Sequence, residues 1–399
     1  MLTLEEAWSR LDAAIQPLPT EWLPIEDAAG RVLAQPAASA VALPPFDQSS
    51  LDGYALRLSE SSSQQWLPIA GVTPAGRVDA PTTLPAASAW RVFTGALVPV
   101  GADAVVAQEH TETGPQGMRV LRALKAGQAL RRAGEEMAAG TVLADAGQRL
   151  TPALAAALAT AGVAKVSVRR QPRVAVLVTG DEVVSPADPL ALGQVHDANS
   201  VLLRHWLATQ GCQLVFLTAV ADTPEAVEVA LARAYAEADL VLTTGGVSVG
   251  DHDHIPAVLR QLGAQEVFWK VAQKPGKPLY CAQLGDSLLL GLPGNRASVL
   301  VNLIAFAHRA LARLQARREE DLAWRSGLLA HPVAADSERG SWLRIALHDQ
   351  GDGLIHLMPL RGQASHMLGN SQALAGLVWL PAGAELMPAG SLLRWLPAH

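Results

Sequence analysis

The chain has 399 residues and a formal net charge of −6, with 31 Lys and Arg against 37 Asp and Glu. Half of its residues are hydrophobic and 17% are charged, which excludes a disordered chain and predicts a sizeable core shared by roughly two or three domains. The acidic balance lacks the basic surplus that nonspecific nucleic-acid binding requires, and it disfavours an anionic membrane surface. We therefore expect no nucleic-acid and no membrane partner.

The sequence also carries no obvious targeting signal. No run of about 18 apolar residues occurs, so no membrane span is predicted. Charged residues such as Glu5, Glu6 and Arg10 interrupt the start of the chain, which a signal peptide would not tolerate. Cys212 and Cys281 lie far apart and match no metal-binding spacing. These features predict a cytoplasmic chain with reduced, buried thiols.

The N-terminal part mixes helices with a long β-rich stretch. Thr3 and Glu6 form a capping-box pattern before apolar residues at helical spacing, which predicts a helix over residues 4–16. From Pro24 to about Leu150, proline and glycine punctuate short β-rich runs separated by long loops. A second helix is predicted over 151–166, because Thr151 and Pro152 occupy favourable N-cap and N1 positions.

Strands and helices alternate from Arg173 to about residue 318. The sequence predicts five strands at 173–178, 214–220, 240–244, 267–272 and 287–292, with helical patterns between them and after the last one. The first is a nearly continuous apolar run, as expected of a strand buried on both faces. This alternation predicts a doubly wound parallel α/β sheet. After about Leu322 the pattern becomes β-rich again, which predicts a small C-terminal β domain.

Four loops rich in glycine or polar residues follow the predicted strands. Ligands of open α/β sheets bind beyond the carboxyl ends of the strands, so the four loops predict one ligand site at a shared edge. They are Thr179-Gly180-Asp181-Glu182, Thr244–Asp251, Lys274-Pro275-Gly276-Lys277-Pro278 and Leu292-Pro293-Gly294-Asn295.

Several of these residues suit an oxyanion. Gly245, Gly246 and Gly294 let backbone N–H groups approach an anion, and the helix that begins after Gly294 adds a positive dipole end. Lys274 and Lys277 add two positive charges. Taken alone, the glycine pair is also explained by a tight turn, and each lysine by an ordinary surface position. The combination favours a phosphate or a similar anion.

Acidic residues occupy the same loops. Carboxylates beside an anion site indicate a bridging cation, and hard oxygen ligands with a phosphate favour Mg²⁺. The acids are Glu182, Asp197, Asp251 and Asp253. Asp197 is also explained as the N-cap of the following helix, and Glu182 as a turn residue. The run Asp251–His254 is too tightly spaced for a tetrahedral zinc site on one element.

Three further polar segments lie in the β-rich part. The longest, 43–55, contains Asp52-Gly53, which alone is an ordinary turn signal. Its acids, serines and prolines exceed what a turn needs. Thr94-Gly95-Ala96 and Gly134-Glu135-Glu136 are similar polar segments.

Taken together, these motifs resemble the MoeA family of molybdopterin molybdenumtransferases. The resemblance follows the chain in order over essentially its whole length. It is carried by Pro45–Ala55, Phe93-Thr94-Gly95, Thr179–Glu182, Asp197-Ala198-Asn199, Gly245–Asp251, Lys274–Pro278 and Gly291–Asn295.

The resemblance implies four structural parts and a reaction. The parts are a discontinuous N-terminal helical and linker domain (1–45 and 140–172), a β-rich inserted domain (46–139), a molybdopterin-binding α/β domain (173–321) and a C-terminal β barrel (322–399). The implied reaction inserts molybdate into adenylylated molybdopterin and releases AMP with Mg²⁺. The implied assembly is a homodimer whose site joins the α/β domain of one subunit to the β-rich domain of the other. A molybdopterin adenylyltransferase and molybdoenzyme chaperones are the implied pathway partners.

The resemblance also implies roles for particular residues. Those expected in catalysis are Asp52, Thr94, Glu136, Glu182, Asp197 and Asp253, of which Glu182, Asp197 and Asp253 are the expected metal ligands. Those expected to bind the molybdopterin, molybdate or phosphate are Gly245, Gly246, Ser248, Lys274, Lys277, Pro293, Gly294, Asn295, Ser298, Arg344 and Ser365. Two positions depart from the family pattern: Glu136 stands where Asp is usual, and Arg296 stands where Pro is usual.

Two other functions remain open at this stage. One is a paralogue with an altered metal preference, such as tungstate. The other is a non-catalytic molybdopterin carrier or scaffold. The set of acids that includes Asp52, Glu182, Asp197 and Asp253 favours an enzyme, because a carrier has no need of cation ligands.

Overall fold

The computed structural model describes residues 1–62, 65–76, 83–247, 253–318, 324–383 and 386–398. Its first helix, α1 (Leu4–Ala13), carries the predicted capping box, in which Thr3 Oγ1 accepts a hydrogen bond from the Glu6 N–H. The helix ends three residues earlier than predicted. Its apolar face packs into the main core, and Asp12 pairs with the guanidinium groups of Arg309 and Arg313.

The N-terminal part is built from short strands and one further helix. In chain order they are β1 (Thr20–Pro24), β2 (Ala37–Ala38), β3 (Gln48–Ser49), β4 (Gly53–Leu56), β5 (Ile69–Thr73), β6 (Ala89–Val92), β7 (Ala104–Ala107), β8 (Thr111–Gly114), β9 (Gly117–Val120), β10 (Leu130–Arg131), β11 (Val142–Ala144), α2 (Pro152–Thr160) and β12 (Lys165–Arg169). The helix α2 is shorter than predicted, since Gly162 adopts φ +79° and β12 begins three residues later.

Strand pairing separates the β-rich insertion from the chain on either side of it. Strands β5, β6, β4 and β7 form a four-stranded sheet inside the insertion. On either side of it, β1 pairs with β12 and β2 pairs with β11, so the chain before the insertion is joined to the chain after it. This pairing is what a discontinuous N-terminal domain would have, although the domain boundaries themselves stay a prediction.

The α/β part follows the predicted alternation with one difference. Its elements are β13 (Arg173–Thr179), β14 (Val183–Val184), β15 (Val195–His196), α3 (Ala198–Thr209), β16 (Gln213–Val220), α4 (Pro224–Glu237), β17 (Leu240–Thr244), α5 (Ile255–Gln261), β18 (Gln265–Trp269), β19 (Gln273–Lys274), β20 (Tyr280–Leu284), β21 (Ser287–Leu292), α6 (Arg296–Asn302) and α7 (His308–Leu314). The sheet order is β16-β13-β17-β21-β20-β18. The expectation of a wholly parallel sheet is wrong at β20, which runs antiparallel to both neighbours. The reason is a two-residue hairpin between β20 and β21, where Gly285 adopts φ +59°.

Alternation of side chains along β13 explains why helices cover both faces of this sheet. Val174, Val176 and Val178 point into one apolar cluster, while Ala175 and Leu177 point into the other. Successive residues of a strand face opposite sides, so a continuous apolar run needs cover on both. The resulting sheet is covered on both faces, and the described parts of the loops at its carboxyl edge start from its buried strands.

The C-terminal part forms the predicted barrel. Strands β22 (Arg325–Leu329), β23 (Gly340–His348), β24 (His356–Pro359), β25 (Gly376–Leu380) and β26 (Leu392–Pro397) close on themselves, because β23 pairs with both β24 and β25. Strand β19 of the α/β part also pairs with β23. The barrel sheet therefore extends into the α/β part.

One helical segment in the described part of the chain is long and apolar enough to cross a membrane. It comprises α6, the π-helical turn Leu303–Ala307 and α7, and 83% of its most apolar window is buried. It is therefore a core helix here. Both cysteines are free; Cys281 is buried and Cys212 only partly so. Burial raises the pKa of the Cys212 thiol to about 11.

Candidate active site at the carboxyl edge of the sheet

The predicted loops meet where β13, β17 and β21 end, an edge that we call the rim. The Thr179 hydroxyl, at the end of β13, donates to the carbonyl of Thr244, at the end of β17 (3.3 Å). The Gly245 N–H donates to the carbonyl of Leu292, at the end of β21 (3.0 Å). These contacts place three of the four predicted loops beside one another.

Glycine is required at the centre of the rim. Gly245 adopts φ +87°, and a Cβ there would lie 2.6 Å from Thr179 Oγ1. Gly246 adopts φ +68° and is crowded by Ile255. A Cβ on Gly294 would stand 3.7 Å from the Cα of Gly245, so the two backbones approach closely. The rim is thus built largely of backbone, as a surface that binds anions through N–H groups must be.

The start of α3 joins this surface. Asp197 caps the helix, since its Oδ1 accepts a hydrogen bond from the Ser200 N–H (2.9 Å). Asn199 Nδ2 donates to the carbonyl of Gly294 (2.9 Å), which ties α3 to the turn before α6. In the described part of the chain the second carboxylate oxygen of Asp197 has no hydrogen bond, so the residue can serve both as cap and as ligand.

Glu182 and Asp197 flank one short ladder. Strands β14 and β15 pair in parallel, with Glu182 immediately before β14 and Asp197 immediately after β15. Glu182 is exposed, and its Oε2 lies 2.9 Å from where a Cβ on Gly180 would be. Asp253 is partly buried just before α5. Ser248 and Asp251, by contrast, lie outside the described residues.

Polar atoms without partners accompany these acids. Asn199 Oδ1, Thr243 Oγ1, Thr244 Oγ1 and His196 Nε2 are buried and make no hydrogen bond to any residue that the structure describes. Among the described residues, no three His, Cys, Asp or Glu side chains cluster as a ready-made metal site. Mg²⁺ is commonly held by one or two carboxylates together with substrate phosphates. The separated acids and the unsatisfied polar atoms therefore fit a magnesium ion that arrives with a phosphorylated ligand.

The fourth predicted loop, Lys274–Pro278, is here called the lysine loop. It follows β18, which runs parallel to β21, so it leaves the sheet on the same side as the other three loops. Lys274 is exposed, and its Nζ lies 2.9 Å from Oδ2 of Asp336 in the C-terminal part. The ion pair, with backbone N–H groups of Glu338 and Arg339, lowers the pKa of Asp336 to about 2. Lys277 is also exposed.

The start of α6 shows a second contact with the C-terminal part. The Ala297 N–H donates to the carbonyl of Ser365 (3.0 Å), so this predicted residue reaches the helix through its backbone. Asn295 occupies the N-cap position without a side-chain cap and is exposed. Pro293 and Ser298 are buried, the latter at 2% exposure.

Arg344 is placed differently from the expectation of an open anion ligand. The side chain is fully buried, and burial lowers its pKa. Its guanidinium donates to the carbonyls of Gly362, Ala364 and Met367 and to the side chain of Asn370. Arg344 thereby shapes the loop that carries Ser365, and a direct contact with an oxyanion stays a prediction.

The β-rich insertion brings together the three polar segments that the sequence singled out. The N–H and hydroxyl of Thr94 both donate to Asp52 Oδ1 at 2.8 Å, which we call the acid–threonine pair. These hydrogen bonds, more than the nearby charge of Arg91, lower the pKa of Asp52. Strand β3 holds the surroundings, because Ser49 bonds to Gly95 and Ala96 while β10 pairs with β3. Glu136 is exposed at the loop after β10.

Sequence reasoning missed several polar side chains around these residues. The Arg91 guanidinium lies over the rings of Tyr54 (4.8 Å) and Phe93 (5.1 Å) and bonds to Gln108. Its position near the end of β6, two residues before Phe93, was an available signal, since residues two apart in extended chain share a face. Asp336, in contrast, gave no local signal, because its partner lies 62 residues away.

Comparison with known proteins agrees with this architecture. Residues 2–162 match the MoeA N-terminal region (domain I and II), and residues 175–313 match a probable molybdopterin binding domain. A molybdopterin molybdenumtransferase of Haemophilus influenzae is 39% identical over 321 residues, covering 80% of this chain and 79% of its own length. One of Nostoc sp. is 35% identical, covering 93% of this chain and 87% of its own length.

Solved structures match over the whole chain. Two structures of a molybdopterin biosynthesis MoeA protein from Pyrococcus horikoshii give TM-scores of 0.85 and 0.80 at 27% and 25% identity, and each match covers 99% or more of both chains. The fold and the site therefore define a transferase of molybdenum cofactor biosynthesis. This chain belongs to the molybdopterin molybdenumtransferase family.

Proposed function

We propose that this protein inserts molybdate into adenylylated molybdopterin and releases AMP in a Mg²⁺-dependent reaction. The observation that carries the proposal is the meeting of the backbone turns at Gly245 and Gly294 beside the start of α3, with the lysine loop leaving the sheet on the same side. Such a surface suits tetrahedral oxyanions, and both phosphate and molybdate belong to that class.

The residues divide into two tasks. Lys274, Lys277 and the N–H groups of the rim bind the molybdate and the phosphates, with Ser248, Ser298 and Ser365 near them in the proposed set. Glu182, Asp197 and Asp253 would hold the magnesium ion. When bound, that ion neutralises the negative charge that develops on the phosphate groups. Asp197 is already oriented for this by its hydrogen bond to Ser200.

The acid–threonine pair completes the proposed site from a second subunit. The hydrogen bonds of Asp52 and Thr94 all lie within the β-rich insertion, in the part of the chain that the structure describes. We propose a homodimer in which this pair, with Glu136, faces the rim of the partner. Because Asp52 is kept ionised, it can orient a proton-bearing group of the substrate.

A reconstitution tests the reaction. Purified protein is mixed with adenylylated molybdopterin, Mg²⁺ and molybdate, and AMP release and cofactor formation are followed. We expect both, and we expect neither when Mg²⁺ is removed by chelation. Tight binding of adenylylated molybdopterin without AMP release would instead favour the carrier. Faster turnover with tungstate than with molybdate would favour the tungstate paralogue.

Mixed subunits test the shared site. At molybdate concentrations near the wild-type KM, Asp52→Asn and the double variant Lys274→Ala with Lys277→Ala are each expected to be nearly inactive. Random mixing of the two in a symmetric dimer would restore one intact site in half of the dimers, or about a quarter of wild-type activity. Absence of any recovery, with dimers shown by light scattering, would place all of these residues in one subunit.

We also propose a cytoplasmic location. A molybdopterin adenylyltransferase would supply the substrate, and molybdoenzyme chaperones would receive the product. Co-purification of either partner with the tagged chain would test these exchanges. The dimeric Asp52→Asn variant is the control, because the rest of its surface is intact.

A further inference from the structure

A buried group of polar side chains lies directly beneath the lysine loop. Gln273 Nε2 donates to Asn302 Oδ1 (2.8 Å) and to the carbonyl of Gly276 (3.0 Å). Gln273 Oε1 accepts from the indole N–H of Trp342 (2.8 Å), and Asn302 Nδ2 donates to the carbonyl of Ser298 (2.9 Å). We call Gln273, Gly276, Asn302 and Trp342 the amide network.

The side chains of the amide network are buried. Gln273 and Asn302 are fully buried, and Trp342 is 1% exposed. Both donors of the Gln273 amide are used, so only a primary amide of this length can serve all three partners. Gly276 adopts φ +94°, and a Cβ there would lie 2.5 Å from Asn302 Nδ2. The loop backbone therefore sits tightly against the network.

The network also joins three parts of the protein. Gln273 lies in β19, which pairs with β23 of the barrel, while Asn302 ends α6 and Trp342 belongs to β23. The carbonyl of Lys277 accepts from the Val271 N–H (3.0 Å), which closes the loop from its other end. The backbone of both lysines is thus fixed by contacts with α6 and the barrel, although their side chains are exposed.

We infer that Gln273 is a positioning residue for oxyanion binding, which holds the lysine loop against α6 and the barrel so that Lys274 and Lys277 face the anion together. This inference rests on the proposed function of the lysines. It assigns no chemistry to Gln273, which the loop separates from solvent. Loss of the amide would leave the lysines present but wrongly spaced.

The test uses Gln273→Met, which keeps the length of the side chain but removes its hydrogen bonds. At a temperature where the variant is fully folded, we expect the KM for molybdate to rise about tenfold or more, with kcat at saturating molybdate changed less than about twofold. Hydrogen exchange of the peptide spanning 270–280 is expected to accelerate. The control is Leu357→Ala, which opens a cavity in the barrel core away from the network. It is expected to change neither the KM for molybdate nor the hydrogen exchange of this peptide.

Trp342→Phe provides a milder second variant if Gln273→Met does not fold. It removes one hydrogen bond but keeps a ring against Trp324 and Trp379, and we expect a rise in KM of about threefold. Unchanged KM and exchange in a folded variant would overturn the inference. If Lys274→Ala with Lys277→Ala leaves the KM for molybdate unchanged, the proposed function of the lysines fails instead, and this inference falls with it.

Discussion

The acid–threonine pair and the rim differ in how far their polar groups are satisfied. Asp52 receives two hydrogen bonds from Thr94 and is held ionised. At the rim, Asn199 Oδ1 and Thr244 Oγ1 are buried and have no partner among the described residues. Unsatisfied buried polar atoms are costly, and native proteins rarely keep them without a purpose. We infer that the pair is prepared in advance, whereas the proposed ligand would complete the rim.

The largest expected effect comes from removing the prepared charge. Asp52→Asn keeps the shape of the side chain, and the Thr94 N–H can still bond to its amide oxygen. We expect kcat to fall about 10²–10⁴-fold, as for loss of a positioned general base, with the affinity for adenylylated molybdopterin nearly unchanged. Steady-state kinetics and equilibrium binding measure the two quantities. Equal losses in both would place Asp52 in the binding surface, and Asp145→Asn is the control.

Removing the two charges of the lysine loop is expected to give the next largest effect. This effect is on the affinity for molybdate instead of on turnover. Lys274→Ala with Lys277→Ala removes two charged donors, each worth about 1.5–3 kcal/mol, so molybdate should bind at least about 100-fold more weakly. Calorimetric titration with sodium molybdate measures this. Lys165→Ala, an exposed lysine of β12, is expected to bind as the wild type does. Wild-type affinity in the double variant would remove the loop from the anion site.

A glycine at the rim tests whether the backbone itself shapes the site. Gly245→Ala adds a Cβ 2.6 Å from Thr179 Oγ1 at φ +87°, so we expect a loss of about 1–3 kcal/mol in the free energy of unfolding and weaker anion binding. Gly263→Ala is the matched control, because Gly263 has φ +84° but no atom within 4 Å of the added Cβ. Equal costs in denaturant unfolding would mean that the close approach to Thr179 contributes nothing.

A smaller effect is expected on the pH dependence of kcat/KM when the threonine of the acid–threonine pair is changed. The pKa of Asp52 lies below its ordinary value of 3.8, so activity that needs the ionised carboxylate is lost only as the pH falls through that depressed pKa. Thr94→Val removes the hydroxyl donor and leaves the N–H donor. The acidic limb of kcat/KM should move upward, and kcat should fall about 2–10-fold. A limb that stays in place, as expected for Thr113→Val, would show that the hydroxyl does not stabilise the charge.

The sequence predicted the rim well because its signals are local. The bounds of β17 and β21 were predicted to the residue, since a buried strand shows as a continuous apolar run, and Thr3 and Glu6 marked the start of α1. The joining of β19 to the barrel could not be predicted, because a two-residue strand has no pattern of its own. The sequence analysis predicted no strand at Tyr280–Leu284, so both the existence of β20 and its antiparallel direction were missed.

The sequence also failed to predict long-range polar contacts. These contacts determine which polar groups are left to bind a ligand. The resemblance implied that Arg344 binds an anion, but its two terminal guanidinium nitrogens donate to carbonyls of the loop 362–367. The sequence analysis did not single out Gln273, yet it is fully buried and bonded to α6 and the barrel. Residue type predicts which hydrogen-bond donors and acceptors are present. Only the tertiary structure shows whether they are already bonded within the protein.

The smallest expected effect concerns Lys274, a predicted anion ligand whose charge is already paired with Asp336. Asp336 is held by the N–H groups of Glu338 and Arg339, and an incoming anion must compete with it for Lys274. Since exposed ion pairs are worth about 0–1 kcal/mol, Asp336→Asn should tighten molybdate binding by at most about fivefold. Asp349→Asn alters a similar turn without a lysine partner and should have no effect. Weaker binding in Asp336→Asn would mean that the carboxylate orients Lys274 toward the anion, in which case the rim and the barrel cooperate instead of competing.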